Sequence, residues 1–323
     1  MLTKTNKNKT DERKLTPGHT TCAGCPAPLI VRSVLDSIKY PVVVASATGC
    51  LEVATTIYPK TSWNVPFIHS AFENAAATIS GAETAYRVLN KRVNKSKAQK
   101  EKFSENYNFQ LEEDIKFVTF GGDGGTYDIG LQSLSGAMER GHDFLYVCYD
   151  NEGYMNTGGQ RSGATPKGAG TTTTPPGEVS TGKIQTRKDL MEIVVAHNVP
   201  YAAQASIFNL FDLQNKVRKA MEIKGPKFIN VLSPCPTIWK FDPAKIVELT
   251  KLAVETGFWP VYEYENGKYK LNFEPKELKP LEEFLKPQRR FAHLFKNEAG
   301  KEVLNDIQQL VNQKWKELKQ KMN

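Results

Sequence analysis

The sequence predicts an α/β fold with a mainly parallel sheet and helices on both of its faces. Short apolar, β-branched runs recur along the chain, and longer amphipathic patterns with helical spacing separate them. Apolar runs of this length are typical of strands that are buried on both faces, as in parallel sheets. Strands that alternate with helices indicate βαβ units, which cover both faces of a sheet with helices.

Five strands and five helices form this alternating part of the chain. The predicted strands are residues 41–46, 116–120, 144–149, 201–206 and 227–232. The predicted helices are residues 28–39, 73–89, 129–140, 188–197 and 210–223. Beyond Pro236 we expect an amphipathic helix over 243–256 and further helices to the end. Between them, the dipeptide Asn266-Gly267 is typical of a turn joining two short strands.

These patterns divide the chain into a polar N-terminal tail at 1–15, a main domain at 16–236 and a C-terminal extension at 237–323 that packs on the main domain. Residues 156–182 form a long run of Gly, Thr, Ser and Pro with almost no large apolar side chain. Because such a run is too long for an ordinary connection, it predicts either a functional loop or a disordered one. The polar insert at 93–113 suggests no function.

Composition and charge limit the classes of function. The 323 residues are 40% hydrophobic and 24% charged, which is typical of globular proteins and excludes disordered and collagen-like chains. There is no apolar run of membrane-spanning length and no signal-peptide pattern, so we predict a cytoplasmic protein without membrane contact. The net charge of +8 is concentrated in local lysine-rich segments. Solvated tails and helix faces explain it better than nucleic acid, and docking of an acidic protein stays open.

Glycines and a carboxylate follow one predicted strand, and an amide follows the next. Asp123 lies among Gly121, Gly122, Gly124 and Gly125, and Asn151 follows the strand at 144–149. Both positions belong to the carboxyl edge of a parallel sheet, where ligands of open α/β folds bind. The glycines would let the backbone approach a phosphate, and the next helix N-terminus would add N–H donors. Asp123 and Asn151 offer the hard oxygens that Mg²⁺ prefers.

The spacing strengthens this interpretation, since 26 residues separate Gly124 from Asn151. A Gly-Asp-Gly followed at this distance by Asn matches the signature of thiamine-diphosphate sites. The alternative is a glycine-rich turn in which Asp123 caps a helix.

Four of the five cysteines fall in loops. Cys22 and Cys25 form a C-x₂-C pair, Cys50 follows the first strand and Cys235 follows the last one. Four thiolates are the number that a [4Fe–4S] cluster or a structural zinc needs, although a C-x₂-C pair is also typical of a redox dithiol. Cys148 lies inside an apolar strand, where a small buried hydrophobic residue is expected.

The sequence resembles the β subunits of pyruvate:ferredoxin oxidoreductase (pyruvate synthase), which belong to the 2-oxoacid:ferredoxin oxidoreductase family. Seven separated motifs in the same order support the resemblance, which covers nearly the whole chain after the tail. The motifs lie at residues 17–25, 47–53, 71–77, 122–130, 149–158, 171–177 and 234–237.

The resemblance implies a set of site residues within a main domain of the thiamine-diphosphate-binding type. It assigns one [4Fe–4S] cluster to Cys22, Cys25, Cys50 and Cys235. It assigns Mg²⁺ to Asp123, Asn151 and the backbone carbonyl of Gly153. Asn156 matches a catalytic asparagine near the reactive ring of the cofactor. The residues expected to line the cofactor pocket are Gly49, Cys50, Leu51, Glu52, Gly122, Asp123, Gly124, Gly125, Asn151 and Asn156.

The activity that the resemblance implies is the reversible oxidative decarboxylation of pyruvate to acetyl-CoA and CO₂. Coenzyme A would accept the acyl group and ferredoxin the electrons. Because no pyrimidine-binding domain and no two-cluster ferredoxin module is evident, the chain is expected to work with alpha, gamma and delta type subunits, separate or fused, as a hetero-oligomer. The alternative substrates are 2-oxoglutarate, branched-chain 2-oxoacids and oxalate.

Two other functions remain open at this stage. One is a non-redox thiamine-dependent decarboxylase or transferase, and the other is a zinc-stabilised scaffold without chemistry. Four side chains also keep more than one interpretation. His19 suits the cluster, a substrate carboxylate or a loop hydrogen bond, and Arg161 suits an anchor for a carboxylate or coenzyme A or a surface role. Glu73 and Asn74 suit the cofactor, an interface or a helix cap.

Overall fold

An eight-stranded sheet forms the centre of the computed structural model, which describes residues 13–93 and 114–322. The strands are β1 Val42–Ala47, β2 Phe67–Ser70, β3 Lys116–Gly122, β4 Leu145–Asp150, β5 Tyr201–Ser206, β6 Lys227–Leu232, β7 Val261–Glu265 and β8 Lys268–Phe273. Their order across the sheet is β2-β1-β3-β4-β6-β5-β7-β8. The first six strands pair in parallel, whereas β7 and β8 are antiparallel. The predicted fold class is therefore confirmed.

All five predicted strands are present, and β2 is the one that the sequence analysis missed. This strand lies at the edge of the sheet, and two of its four residues are exposed. An edge strand has neither the continuous apolar run of a buried strand nor a full alternation, so its four residues carry little pattern.

Helices precede, connect and follow the strands. The predicted ones are confirmed with slightly shorter bounds, except that the helix predicted at 73–89 extends to Val93. They are α1 Ala27–Asp36, α2 Cys50–Thr55, α3 Ala75–Val93, α4 Leu131–Glu139, α5 Leu190–Val195, α6 Leu210–Glu222, α7 Pro236–Trp239, α8 Ile246–Glu255, α9 Leu281–Leu285 and α10 Glu298–Gln320. A π-helical turn, Gly124–Asp128, follows β3 directly. The six residues of α2 were too few to show a helical period.

Each face of the sheet has its own core. Helices α1 and α6 cover one face, where Ile30 and Val217 pack with Val118 of β3. Helices α3, α4 and α5 cover the other, where Leu134 packs with Phe117 of the same strand. Neighbouring β3 residues thus point to opposite cores, and each fully buried side chain of this size contributes roughly 1.5–3 kcal/mol.

The chain from α7 onward builds a third core and completes the sheet. Trp239, Trp259, Phe284 and Phe291 are all buried there, together with side chains of α8 and α10. Strand β7 pairs with β5, so the predicted C-terminal extension shares the sheet of the main domain. Asn266 and Gly267 both have positive φ, as a two-residue hairpin turn requires.

Three further segments bear on the sequence analysis. Leu15, at the end of the predicted tail, is buried and forms a β-bridge with Trp63. The run at 156–182 is an irregular loop with several buried residues, including Ser162 and Ala169, so this described segment is packed into the fold. The polar insert at 93–113 lies outside the described residues from position 94 onward. Within the described ranges, no helix is long and apolar enough to cross a membrane.

Candidate cofactor and metal site

A cleft opens at the carboxyl ends of β1, β3 and β4, with a cavity volume of about 120 Å³. These three strands are neighbours in the sheet, so the loops that follow them meet at one edge. Phe72, Tyr149 and Tyr154 add aromatic walls. The cleft brings together eight of the residues predicted from the sequence: Gly49, Cys50, Gly122, Gly124, Gly125, Asn151, Gly153 and Asn156.

Two predicted lining residues lie elsewhere. Leu51 is fully buried in the core beside α1. The Glu52 carboxylate is buried as well and turns to the Thr56 hydroxyl and to the His69 ring, 3.5 Å away. In helix α2 these side chains point away from Gly49 and Cys50, so neither lines the cleft within this chain.

Asp123 lies at the bottom of the site and is completely buried. Its Oδ2 accepts a hydrogen bond from the Ser162 hydroxyl at 2.5 Å, and its Oδ1 accepts one from the Asn151 backbone N–H at 3.2 Å. Across the described ranges, no Lys, Arg or His forms an ion pair with this carboxylate. Burial, and then the neighbouring Asp150 carboxylate, raise the pKa of Asp123 well above its ordinary value.

The Asn151 side chain faces two oxygens at once. Its terminal amide atom lies 2.8 Å from Asp123 Oδ1 and 2.8 Å from the carbonyl oxygen of Gly153. With nitrogen at this position, the amide donates to both oxygens. Turned over, the amide would place its oxygen beside the other two oxygens, an arrangement that a bound cation would satisfy.

This donor set fits a divalent metal ion of the Mg²⁺ type. A carboxylate, an amide and a backbone carbonyl are hard oxygen ligands, which this cation prefers. A buried carboxylate without a cationic partner is costly in free energy, and a bound cation would remove that cost. The residues predicted as Mg²⁺ ligands therefore fit the group on two independent grounds, geometry and charge.

The glycines after β3 are needed for packing within the chain. A Cβ atom added at Gly124 would lie 2.6 Å from the Tyr154 ring, and one at Gly125 would lie 2.9 Å from the Phe72 carbonyl oxygen. Real Cβ atoms do not approach neighbours so closely, so a larger residue forces a shift. In the structure, therefore, it is Tyr154 and Phe72 of the cleft that lie close to these glycines. Contact of the glycines with a phosphate stays a prediction.

The four loop cysteines gather beside the same cleft. Cys50 begins α2 and lines the cleft, Cys235 precedes α7, and the Cys25 N–H donates to the Cys22 carbonyl at 3.0 Å. Burial first, and then the other thiols of the group, raise the pKa of Cys25 to about 11 and that of Cys50 to about 12. Cys148 is fully buried in β4.

The thiols are close enough to one another to affect the pKa values of Cys25 and Cys50. Among the described residues, no group of three or more His, Cys, Asp or Glu side chains is arranged to hold one metal ion.

Sequence reasoning missed two residues that support the site. Ser162 binds Asp123 from the long loop, and the Trp239 Nε1–H donates to the Asn151 backbone carbonyl at 2.8 Å. The prediction of a functional loop at 156–182 was the only available signal for Ser162, and Trp239 had none.

Two of the ambiguous side chains make ordinary surface contacts. His19 Nδ1 lies 3.0 Å from the Thr21 hydroxyl, and the exposed Arg161 donates to Gln185 at 3.1 Å. The sequence allowed a role in the site for both residues. Within this chain each one contacts a polar side chain of a loop instead.

The other two ambiguous side chains lie before α3. Glu73 is exposed. Asn74 Oδ1 is buried without a hydrogen-bond donor among the described residues, so this oxygen does not cap the helix.

Comparison with known proteins identifies the family. Residues 47–231 match the family described as thiamine pyrophosphate enzyme, C-terminal TPP binding domain. Pyruvate synthase subunit PorB of Thermotoga maritima is 51% identical over 94% of this chain and 90% of its own length. The chain belongs to the PorB family. PorB of Methanocaldococcus jannaschii is 48% identical over 94% of this chain and 96% of its own length.

Members and neighbours of the PorB family differ in name and in substrate. The ketoisovalerate oxidoreductase subunit VorB of Pyrococcus abyssi is 43% identical over 95% of this chain and 93% of its own length. The structure of a 2-oxoglutarate:ferredoxin oxidoreductase from Magnetococcus marinus has the same fold, with a TM-score of 0.55 at 20% identity. That match covers 77% of this chain and 82% of the other. The thiamine pyrophosphate domain match includes Asp123, Asn151 and Gly153 but ends before Cys235.

Proposed function

We propose that this chain holds Mg²⁺ and thiamine diphosphate in a pyruvate:ferredoxin oxidoreductase, which converts pyruvate and coenzyme A to acetyl-CoA and CO₂. The observation that supports this most strongly is that the Asn151 side-chain amide lies 2.8 Å from both Asp123 Oδ1 and the Gly153 carbonyl oxygen, where the buried Asp123 carboxylate lacks a cationic partner in the described residues. The site lies at the carboxyl edge of the sheet, where open α/β folds bind ligands.

In this proposal Asp123, Asn151 and the Gly153 carbonyl would hold Mg²⁺, through which the chain would bind the diphosphate of the cofactor. Thiamine diphosphate, when bound, supplies the carbanion chemistry that cleaves the bond to the carboxylate of a 2-oxoacid. The aromatic side chains of Phe72 and Tyr154 exclude water from one wall of the cleft. Asn156, which is exposed at the cleft, offers an amide to orient the reacting groups.

We assign one [4Fe–4S] cluster to Cys22, Cys25, Cys50 and Cys235. Four thiolates complete its ligand set, and the mutual effect of these thiols on their pKa values supports their proximity. Cys50 belongs both to this group and to the cleft, so a cluster held by these cysteines would supply one-electron chemistry beside the cleft.

The assembled enzyme would include alpha, gamma and delta type subunits, separate or fused, with ferredoxin as electron acceptor, in the cytoplasm. Pyruvate is the substrate that the names of the most similar relatives support. The name of the VorB relative makes branched-chain 2-oxoacids the strongest alternative, ahead of 2-oxoglutarate and oxalate. A pocket distinguishes one methylene by only about 1–3 kcal/mol, so a few side chains change the preference.

The metal assignment is tested with Asp123→Ala in the assembled complex. We expect the variant to lose Mg²⁺-dependent binding of thiamine diphosphate, measured by calorimetry, while its iron content stays at the wild-type level. Asp306→Ala is the matched control, because this aspartate is half exposed and pairs with Lys167 away from the cleft. Unchanged cofactor affinity in Asp123→Ala would remove this residue from the ligand set.

The cluster assignment is tested by iron and sulfide analysis of single cysteine variants. Cys235→Ala should lose the brown colour that bleaches on reduction, and Cys148→Ala should keep it, since Cys148 lies inside β4. Iron loss in the second variant with retention in the first would reverse the assignment. A colourless wild-type complex that still decarboxylates would instead support the non-redox alternative.

Substrate choice is tested with the assembled complex, coenzyme A and a viologen or ferredoxin acceptor. The kcat/KM for pyruvate should exceed those for 2-oxoglutarate, oxalate and branched-chain 2-oxoacids. A higher kcat/KM for any of these would reassign the substrate.

A further inference from the structure

A buried group of four charged side chains lies directly behind the turn that contains Asn151 and Gly153. We call it the Glu152 clamp, and its members are Asp150, Glu152, Arg187 and Arg290. The two carboxylates and Arg290 are at most 3% exposed at their side chains, and Arg187 is 17% exposed. The proposed chemistry uses none of these groups. Buried charges are stable only when they are paired, as these four are with one another.

The backbone at Glu152 is in the left-handed region, with a φ of 63°. Non-glycine residues rarely adopt this conformation, and they keep it only where surrounding contacts hold it. Glu152 separates Asn151 from Gly153, and the Asn151 side-chain amide lies 2.8 Å from the Gly153 carbonyl oxygen. The left-handed residue therefore lies at the bend that brings these two groups together.

The clamp holds Glu152 from both sides. Arg187 donates to Glu152 Oε1 at 2.9 Å and to Asp150 Oδ2 at 2.7 Å. Arg290 donates to Glu152 Oε2 at 2.5 Å. Asp150 Oδ1 in turn accepts the Glu152 backbone N–H at 3.1 Å. Both carboxylate oxygens and the backbone nitrogen of Glu152 are thus occupied.

The C-terminal part of the chain makes a second set of contacts with this turn. The Arg290 guanidinium lies 3.6 Å from the centre of the Trp239 ring, and the Trp239 indole N–H donates to the Asn151 carbonyl. Arg290 and Trp239 therefore hold consecutive residues of the same turn. Their charges and hydrogen bonds reach the site from outside the matched thiamine-binding region, which ends at 231.

We propose that Glu152, Arg187 and Arg290 are positioning residues that preset Asn151 and Gly153 for a divalent cation. This inference rests on the proposed function, because it requires the metal at that turn. Two carboxylates and two guanidiniums cancel within the clamp, so Asp123 is the carboxylate of this region that remains for the cation to neutralise. Groups that orient metal ligands typically contribute 10–100-fold to metal affinity, as an order of magnitude.

The test uses the assembled complex with thiamine diphosphate and Mn²⁺ as a spectroscopic probe for Mg²⁺. Arg290→Gln and Glu152→Gln should each raise the Mn²⁺ dissociation constant by about 10–100-fold, read by electron paramagnetic resonance. At saturating Mn²⁺ the kcat should return close to the wild-type value, because none of the clamp residues lines the cleft. Arg290→Lys, which keeps the charge, should lose less affinity than Arg290→Gln.

Lys227→Met is the matched control, since Lys227 is 3% exposed and pairs with Asp143 at the opposite edge of the sheet. It should lower the thermal midpoint without changing the Mn²⁺ dissociation constant. Wild-type affinity in both clamp variants overturns the inference, as does an equal loss of affinity in the control. If Arg290→Gln prevents assembly, Glu152→Gln decides alone, because it keeps the size of the side chain. A wild-type complex that takes up neither Mn²⁺ nor thiamine diphosphate overturns the proposed function itself.

Discussion

Replacing Gly124 by alanine tests why a glycine follows Asp123. The added Cβ would lie 2.6 Å from Cδ1 and Cε1 of Tyr154 and 2.9 Å from its Cζ. The Tyr154 ring cannot rotate away freely, because its hydroxyl donates to Asp128 Oδ2 at 3.1 Å and its ring packs 5.6 Å from the ring of Phe72. The new methyl group therefore displaces a side chain that forms the wall of the cleft.

The cost follows from these contacts. Non-bonded carbon atoms prefer about 3.5–4.0 Å, so the ring has to move by roughly 1 Å. Overpacking of this kind costs about 1–3 kcal/mol, and loss of the Tyr154 hydrogen bond adds about 1 kcal/mol. A total of about 2–4 kcal/mol lowers the thermal midpoint by several degrees. Affinity for thiamine diphosphate should fall too, since Tyr154 lines the cleft.

The assay is the thermal midpoint of the assembled complex, followed by calorimetric titration with thiamine diphosphate. Gly81→Ala is the control, because the position is inside α3 and, apart from the helix's own backbone, no atom of the described residues lies within 4 Å of the added Cβ. This control should gain about 0.5–1 kcal/mol from helix propensity. Adding Tyr154→Ala to Gly124→Ala should recover much of the lost stability, measured against Tyr154→Ala alone.

Two outcomes would refute this reasoning. A Gly124→Ala complex with the wild-type midpoint would show that the Tyr154 contact is not restrictive. The second outcome is a Gly124→Ala complex with normal stability but strongly reduced affinity for thiamine diphosphate that Tyr154→Ala does not restore. That result would indicate that the glycine is needed to admit a phosphate.

Two further predictions concern the loop that follows the cleft. Ser162→Ala removes the 2.5 Å hydrogen bond to Asp123. A hydrogen bond to a charged group contributes about 1.5–3 kcal/mol, so the Mg²⁺-dependent affinity for the cofactor should fall roughly 10–100-fold, measured by calorimetry. An unchanged affinity would contradict the support of Asp123 by Ser162. Burial lowers the pKa of Lys183 to about 8, so the folded chain releases this proton before the unfolded chain does. Stability relative to Lys183→Met should therefore rise between about pH 8 and 10.5, by up to about 3 kcal/mol, whereas a constant difference in thermal midpoint from pH 7 to 10 would count against it.

The sequence by itself determined the main elements and part of the site. The five buried strands and the helices between them follow from local apolar patterns, because a strand buried on both faces must be apolar along its length. The positions of Asp123 and Asn151 at two neighbouring strand ends follow from the same patterns, since carboxyl ends of parallel strands share one edge. The residue patterns placed four cysteines in loops, whereas their grouping near the cofactor was implied only by the family resemblance.

Only the tertiary structure decided what surrounds these residues. Ser162 reaches Asp123 across 39 positions, and Trp239 reaches Asn151 across 88. The steric reason for Gly124 depends on Tyr154, which local periodicity cannot bring near. A pattern records which face of an element is apolar, whereas contacts between distant segments depend on how the elements pack. The sequence therefore predicts some of the oxygens at the cleft, but it does not predict the side chains that hold them in place.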